Sequence, residues 1–178
     1  AYAGVNTRKW PTRVVGVVKA YVSRVGRGRL VSEMPNEQAQ ELRKSAHEFG
    51  VTTGRPRRLG WFDCVIARHF ARRACPTSLA ITRLDNLTGI DPLKLCTGYR
   101  TENGAVRNTF PTTEPDLDEC KPVYKEVACW STDISGVTEW DQLPKTAQAY
   151  VGMISDACCG TRVDLISTGP KREDIIVL

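Results

Sequence analysis

The run VVGVVKAYV, Val14 to Val22, is valine-rich and nearly unbroken. It is far short of the roughly 20 apolar residues that a membrane-spanning helix needs. A short continuous run of β-branched residues fits a strand covered on both faces, which occurs where helices flank a largely parallel sheet. LAITRL (Leu79 to Leu84), LKLCTGY (Leu93 to Tyr99) and VDLIS (Val163 to Ser167) read as three more strands, and IIVL (Ile175 to Leu178) as a last one. Helical patterns fall between them, so the fold class is α/β, with strands alternating with helices.

Three helices are expected. The first, Asn36 to Glu48, is polar and weakly amphipathic. The second carries Phe62, Val65, Ile66, His69, Phe70 and Arg73 at i, i+3, i+4, i+7, i+8 and i+11, which predicts one buried stripe with His69 hydrogen-bonded in the core. The third follows Pro144, a residue suited to a first turn, and places Ala147, Tyr150, Val151, Ile154 and Cys158 on one face. From Arg100 to Trp140 the pattern is loose and rich in Pro, Thr and acids, and reads as an excursion outside the core. The 178 residues show no internal repeat and no linker, so 1–178 reads as a single unit.

Composition narrows the chemistry. Seven cysteines without a C-x-x-C pair argue against a zinc site and for reduced, mostly buried thiols of the kind found in cytoplasm. The net charge of +5 is uneven: up to Arg73 there are 15 Lys+Arg against 5 Asp+Glu, and from Ala74 onward 10 against 15. Such a split suits either a nucleic-acid surface or a site for small anions. Aromatic residues are only 7% and do not interleave with the arginines, which speaks against a nucleic-acid-binding module.

The sharpest cationic cluster is VTTGRPRRLGW, Val51 to Trp61, with Arg55, Arg57 and Arg58 in four positions. A guanidinium stays charged and grips a carboxylate or phosphate through two parallel hydrogen bonds. Thr52 and Thr53 add hydroxyls, Gly54 permits close backbone approach and Pro56 stiffens the turn. The loop can hold a small dianion, or it can be a solvated basic loop paired to nearby acids. TRLDNL, Thr82 to Leu87, ends a strand in Arg-Leu-Asp, where ligands of open α/β sheets bind. Asp85 could accept the N1 and N2 hydrogens of guanine, which adenine lacks, with Arg83 lying over the base; equally, Asp85 could cap a turn. STGP, Ser167 to Pro170, is a tight turn directly after a strand, either a set of polar contacts for a flat ring or a plain connection.

Taken in order, GVVKAYVSRVGRGRLVSEM, HEFGVTTGRPRRLGWFD, ITRLDNL, LKLCTGYR, PVYKEV with Trp130, LPKTAQAYV and ISTGPKRED resemble the adenylosuccinate synthetase family, from near Val15 to the carboxyl end. The resemblance is to the family's C-terminal half. It implies the C-terminal part of a P-loop-like nucleotide-binding enzyme fold, and a cytoplasmic, homodimeric ligase of purine biosynthesis. That ligase joins L-aspartate to IMP at the expense of GTP, with Mg2+, through a 6-phosphoryl-IMP intermediate. Val51, Thr52, Thr53, Gly54 and Arg55 would line the aspartate pocket, with Arg55 also reaching the IMP ribose and Arg57 touching both aspartate and the GTP side. Arg83, Leu84 and Asp85 would read guanine, together with Ser167, Thr168, Gly169 and Pro170.

Arg83 replaces the family's customary lysine. Cys129 stands before Trp130 in place of a glycine, and Cys75-Pro76 replaces an asparagine-containing turn. The family's phosphate loop, GDEGKGK, with its general base and magnesium ligand, does not occur, and neither His47 nor His69 matches its catalytic histidine. No catalytic or metal-binding residue is therefore expected in this chain. It is expected to be inactive alone and to work with the N-terminal half, without membrane or nucleic-acid partners. A related phage enzyme that ligates aspartate to a guanine nucleotide for diaminopurine synthesis is the alternative within the same chemistry.

Overall fold

The computed structural model describes residues 13–178. Three strands form its parallel centre: β1 (Val15–Lys19), β5 (Ser78–Thr82) and β9 (Val163–Ser167), with β10 (Ile175–Val177) antiparallel on β9. Val17 stands opposite Ala80 and Ile81 opposite Ile166, so all three parallel strands point their carboxyl ends to one edge. A ribbon of β2 (Val22–Arg24) and β3 (Arg58–Gly60) extends from that edge. A further sheet is centred on β6 (Leu93–Arg100), which pairs with β4 (Phe62–Asp63) in parallel and with β7 (Val106–Arg107) and β8 (Lys121–Val127) antiparallel. The α/β class stands.

The predicted first strand is broken. Ala20 and Tyr21 are almost wholly buried and separate β1 from β2, because Tyr21 turns its ring inward and donates its hydroxyl to Glu48 at 2.6 Å. The first helix, α1 (Asn36–Ser45), stops short of Glu48: His47 takes a left-handed φ of 50° and turns the chain into the arginine loop.

The second helix, α2 (Cys64–Ala74), begins two residues later than its stripe suggested. Phe62 belongs to β4, and Asp63 caps the helix by accepting hydrogen bonds from the amides of Val65 and Ile66 at 3.0 and 3.1 Å. Tyr99 adds its hydroxyl to the same carboxylate at 2.7 Å. The buried face is Cys64, Val65, Ala67 and Ala71, whereas Ile66, His69 and Arg73 are exposed. The helix packs closely on β6 and α4 (Lys145–Ala157), and close approach selects small residues that a stripe of large ones does not reveal. His69 is thus not a core histidine; its ring lies 5.2 Å from that of Phe110.

The helix after Pro144 matches its expected face, with Ala147, Tyr150, Val151, Ile154 and Cys158 buried. The segment 100–140 does not stay outside the core. Here β8 pairs along the length of β6, a short helix α3 (Glu114–Asp118) follows β7, and Cys120, Trp130 and Ile134 are buried. All seven cysteines are free thiols; Cys64, Cys96, Cys120 and Cys158 are buried, while Cys75 and Cys159 are exposed. Cys75 occupies the left-handed position that ends α2, where glycine or asparagine is the usual choice.

Candidate functional site

Three strand ends meet at one edge of the parallel sheet. Lys19 ends β1, Arg83 to Asp85 follow β5, and Ser167 to Pro170 end β9, with the arginine loop arriving from α1. That edge is where open α/β sheets bind ligands.

Glu48 organises the loop. Its side chain is fully buried, and it accepts from Lys19 Nζ at 2.7 Å, Tyr21 Oη at 2.6 Å and Arg57 Nη1 at 2.8 Å. Burial alone would raise its pKa, but the hydrogen bonds from Lys19, Tyr21 and Arg57 outweigh it and hold the carboxyl below its usual range. Burial and the same carboxylate push the Tyr21 phenol up, and the charges of Arg83 and Asp85 also act on it. One buried acid therefore joins the arginine loop to the end of β1.

The three arginines divide by role. Arg58 holds the Glu33 carboxylate with two nitrogens, at 2.7 and 2.6 Å, and the carbonyl of Gly28 with a third. Arg57 rests on Glu48, its backbone carbonyl accepts from Arg43 Nε, and its Nε is buried without a partner. Arg55 is exposed, and its side chain makes no hydrogen bond or ion pair among the described residues. The tip, Val51 to Gly54, is exposed as well, with Val51 at 98%. Beneath it, Gly50 donates to the Arg55 carbonyl and Gly54, at φ +63°, donates to the Gly50 carbonyl, each at 2.8 Å. The cluster is accordingly not a free basic face of the kind nucleic acid requires: two cations brace the loop and one is presented at its tip.

On the other side, Arg83 adopts a left-handed φ of 66°, a strained conformation for a residue with a long side chain. Its Nη1 donates to the Ala46 carbonyl, at the end of α1, at 3.1 Å. Leu84 is wholly buried and serves as a core anchor. Asp85 opens a 3-10 turn, Asp85–Leu87, but its side chain caps nothing: Oδ1 is buried without a hydrogen-bond partner. Burial raises its carboxyl above the ordinary value, against the pull of nearby amides and of Arg83. An orphaned buried acceptor costs about 1–3 kcal/mol, so this oxygen is suited to accept from a donor.

The turn after β9 is built from the inside. Thr168 is fully buried and donates its hydroxyl to the Val137 carbonyl at 2.8 Å, while the Ser167 hydroxyl donates to the Gly169 carbonyl at 3.1 Å. A Cβ on Gly169 would run into the Asp174 side chain, so a larger residue there requires that side chain to shift. Pro170 is exposed, while Ser167 and Gly169 are half-buried. Among the described residues no group of three or more His, Cys, Asp or Glu side chains is placed to hold a metal ion, and no helix is long and apolar enough to cross a membrane.

A braced cationic loop and a half-buried aspartate with one unpartnered oxygen, at the carboxyl edge of a parallel sheet, make this an α/β protein with its candidate ligand crevice at that edge. Residues 1–176 match the adenylosuccinate synthetase family model. The chain is 46% identical over 164 residues to the adenylosuccinate synthetase of Clostridioides difficile, and 47% identical over 165 residues to that of Carboxydothermus hydrogenoformans. These matches cover 92% and 93% of this chain but 38% of each relative. The structure of fully ligated adenylosuccinate synthetase from Plasmodium falciparum superposes with a TM-score of 0.88 at 35% identity, over 98% of this chain and 42% of that one. The chain belongs to the adenylosuccinate synthetase family, and it spans about two fifths of the length of the relatives it matches.

Proposed function

We propose that this chain supplies the aspartate loop and the guanine pocket of a GTP-dependent ligase that joins L-aspartate to IMP. The observation that carries the reading is Asp85 Oδ1, buried and unpartnered at a strand end, on the same carboxyl edge of the sheet as Lys19, which holds the Glu48 hub that braces the arginine loop. In this assignment Asp85 accepts from N1 and N2 of guanine, Arg83 covers the base, and the Gly169-Pro170 turn closes the pocket from β9. Ser167, Thr168 and Leu84 act behind them, holding the turn and the strand end in place.

At the loop, Arg55 takes the aspartate carboxylates and the IMP ribose, with Val51, Thr52, Thr53 and Gly54 closing over the amino acid. Arg57 is held between Glu48 and the nucleotides, where its buried Nε is available to an anion. Each charged hydrogen bond to aspartate is worth about 1.5–3 kcal/mol. Mg2+ supplies charge neutralisation of the GTP phosphates when bound, and none of the described residues is assigned to it. The chain contributes orientation and specificity, with phosphate chemistry assigned to the rest of the family fold. A cytoplasmic homodimer is part of the same reading.

Asp85→Asn in the complete enzyme is the test. An amide presents a donor where guanine also presents donors, so GTP preference over ATP and ITP should fall by tenfold or more. Unchanged strict GTP dependence would count against the assignment.

A further inference from the structure

Between β2 and Leu30 the chain reads VGRGR, and with Arg24 this turn sets three guanidiniums within six positions. Residues 24–29 are all exposed. Gly26 at φ +88° and Gly28 at φ +100° take the left-handed backbone that glycine tolerates best, so the chain bends tightly on both sides of Arg27. The turn is also held in place. Arg58 donates Nη1 to the Gly28 carbonyl at 2.6 Å, Arg24 donates Nη1 to the Arg29 carbonyl at 3.0 Å, and Arg29 donates Nη2 to the Cys120 carbonyl at 2.8 Å. Arg27 is different. Its side chain makes no hydrogen bond or ion pair among the described residues, and neither Arg24 nor Arg29 has a salt-bridge partner there.

The VGRGR turn leaves the β2–β3 ribbon at the end where the arginine loop enters it. The last pair in the register is Arg24 with Arg58; Arg27 stands three residues beyond that pair on one strand, and Arg55 three residues before it on the other. Arg58, the residue that leads out of the arginine loop, is the one that holds Gly28. Two guanidiniums without partners are therefore carried on two separately braced turns at one end of one ribbon. Like charges gathered without an acid repel one another, and an anion with two charged groups removes that cost. Each guanidinium fork fits one carboxylate, and L-aspartate carries two.

We propose that Arg27 is a second substrate-gripping cation, taking the aspartate carboxylate that Arg55 leaves free. This deepens the assignment of the arginine loop to aspartate and rests on it. The amino acid is then held between two turns rather than under one, and an amino acid with a single carboxylate leaves one fork empty.

Steady-state kinetics of the complete enzyme test it. Arg27→Gln and Arg27→Ala should each raise the aspartate KM by about tenfold or more, as expected for a lost charged hydrogen bond, with the IMP and GTP KM values unmoved. Arg27→Lys keeps the charge and loses the fork, so it should recover only part of the loss. Arg72→Ala, an exposed cation at the far end of α2, should change nothing. Because the native Arg27 side chain is exposed and unpaired, the melting temperature of the 178-residue chain should stay within about 2 °C in every Arg27 variant, which separates a lost ligand contact from a loosened turn.

An aspartate KM unchanged in Arg27→Gln and Arg27→Ala overturns the proposal. So does a rise confined to the IMP or GTP KM, which would make the anion a phosphate, and so does full recovery in Arg27→Lys, which would mean that only the general field at this end matters. Arg55→Ala tells the two readings apart. If it raises the aspartate KM while Arg27→Gln does not, the loop assignment stands and the second grip falls; if neither variant moves it, both fall.

Discussion

Glu48→Gln removes one charge from the centre of the site while keeping the side chain's shape. In the native chain Lys19 and Arg57 each face this carboxylate, their side chains 30% and 28% exposed, and the Tyr21 hydroxyl is buried against it. Breaking a fully buried pair costs roughly 3–5 kcal/mol. Water still reaches part of both cations, so the lower figure of about 2–3 kcal/mol applies. For a domain of this size each kcal/mol moves the melting temperature by about 2–4 °C, giving a fall of about 4–12 °C.

Thermal unfolding of the 178-residue chain measures it. The pH profile supplies a second readout. Glu48 has a depressed pKa in the folded state, so its contribution is fully present above its unfolded value of about 4.3 and is lost as pH falls through the lower folded value. The difference between wild type and variant should therefore be flat from about pH 5.5 to 8 and shrink below about pH 4. A melting temperature within 2 °C of wild type at pH 7, or a difference that grows on acidification, refutes the hub.

Arg55→Ala should raise the aspartate KM of the complete enzyme at least tenfold and leave the melting temperature of the chain unchanged, since the native side chain is exposed and unpaired among the described residues. Gly169→Ala drives a methyl group against the Asp174 carboxylate, so GTP binding by the complete enzyme should weaken at least fivefold in calorimetry while the isolated chain remains folded by circular dichroism. Asp63→Ala removes the α2 cap and strands the Tyr99 hydroxyl, and should cost about 2–4 kcal/mol in urea unfolding.

The strands at Leu79, Leu93, Val163 and Ile175 were legible because β-branched runs bounded by turns have few other solutions. The strand β8 was not: KPVYKEV mixes charge with apolar residues and includes Pro122, so it reads as loop, although Val123, Tyr124 and Val127 carried the signal. Among the site residues, the guanidinium cluster, Asp85 and the Ser167 turn stood out through residue type and spacing. Glu48 did not. A glutamate just past a polar helix has the pattern of a solvated acid, and its burial depends on Lys19 at the end of β1 and on Tyr21 just after it. The same holds for Arg58, whose partner Glu33 lies 25 positions away and converts one of three apparently equivalent cations into a brace. Long-range pairing decides which charges are spent inside the fold, and a single chain's residue order does not display it.

Ala46 is the point where α1 stops and the polypeptide swings into its cationic tip, and Arg83 grips the carbonyl of that residue. The end of β5 is thereby bolted to the root of the arginine loop. A guanidinium can keep one nitrogen on that carbonyl and still turn its flat plane outward, whereas an ammonium gathers all its donors on one atom. Under the proposed assignment, a purine that nudges Arg83 also tugs the root of the loop, and equilibrium linkage makes the influence run equally in the opposite direction. The two substrates then meet a single jointed part instead of two separate receptors.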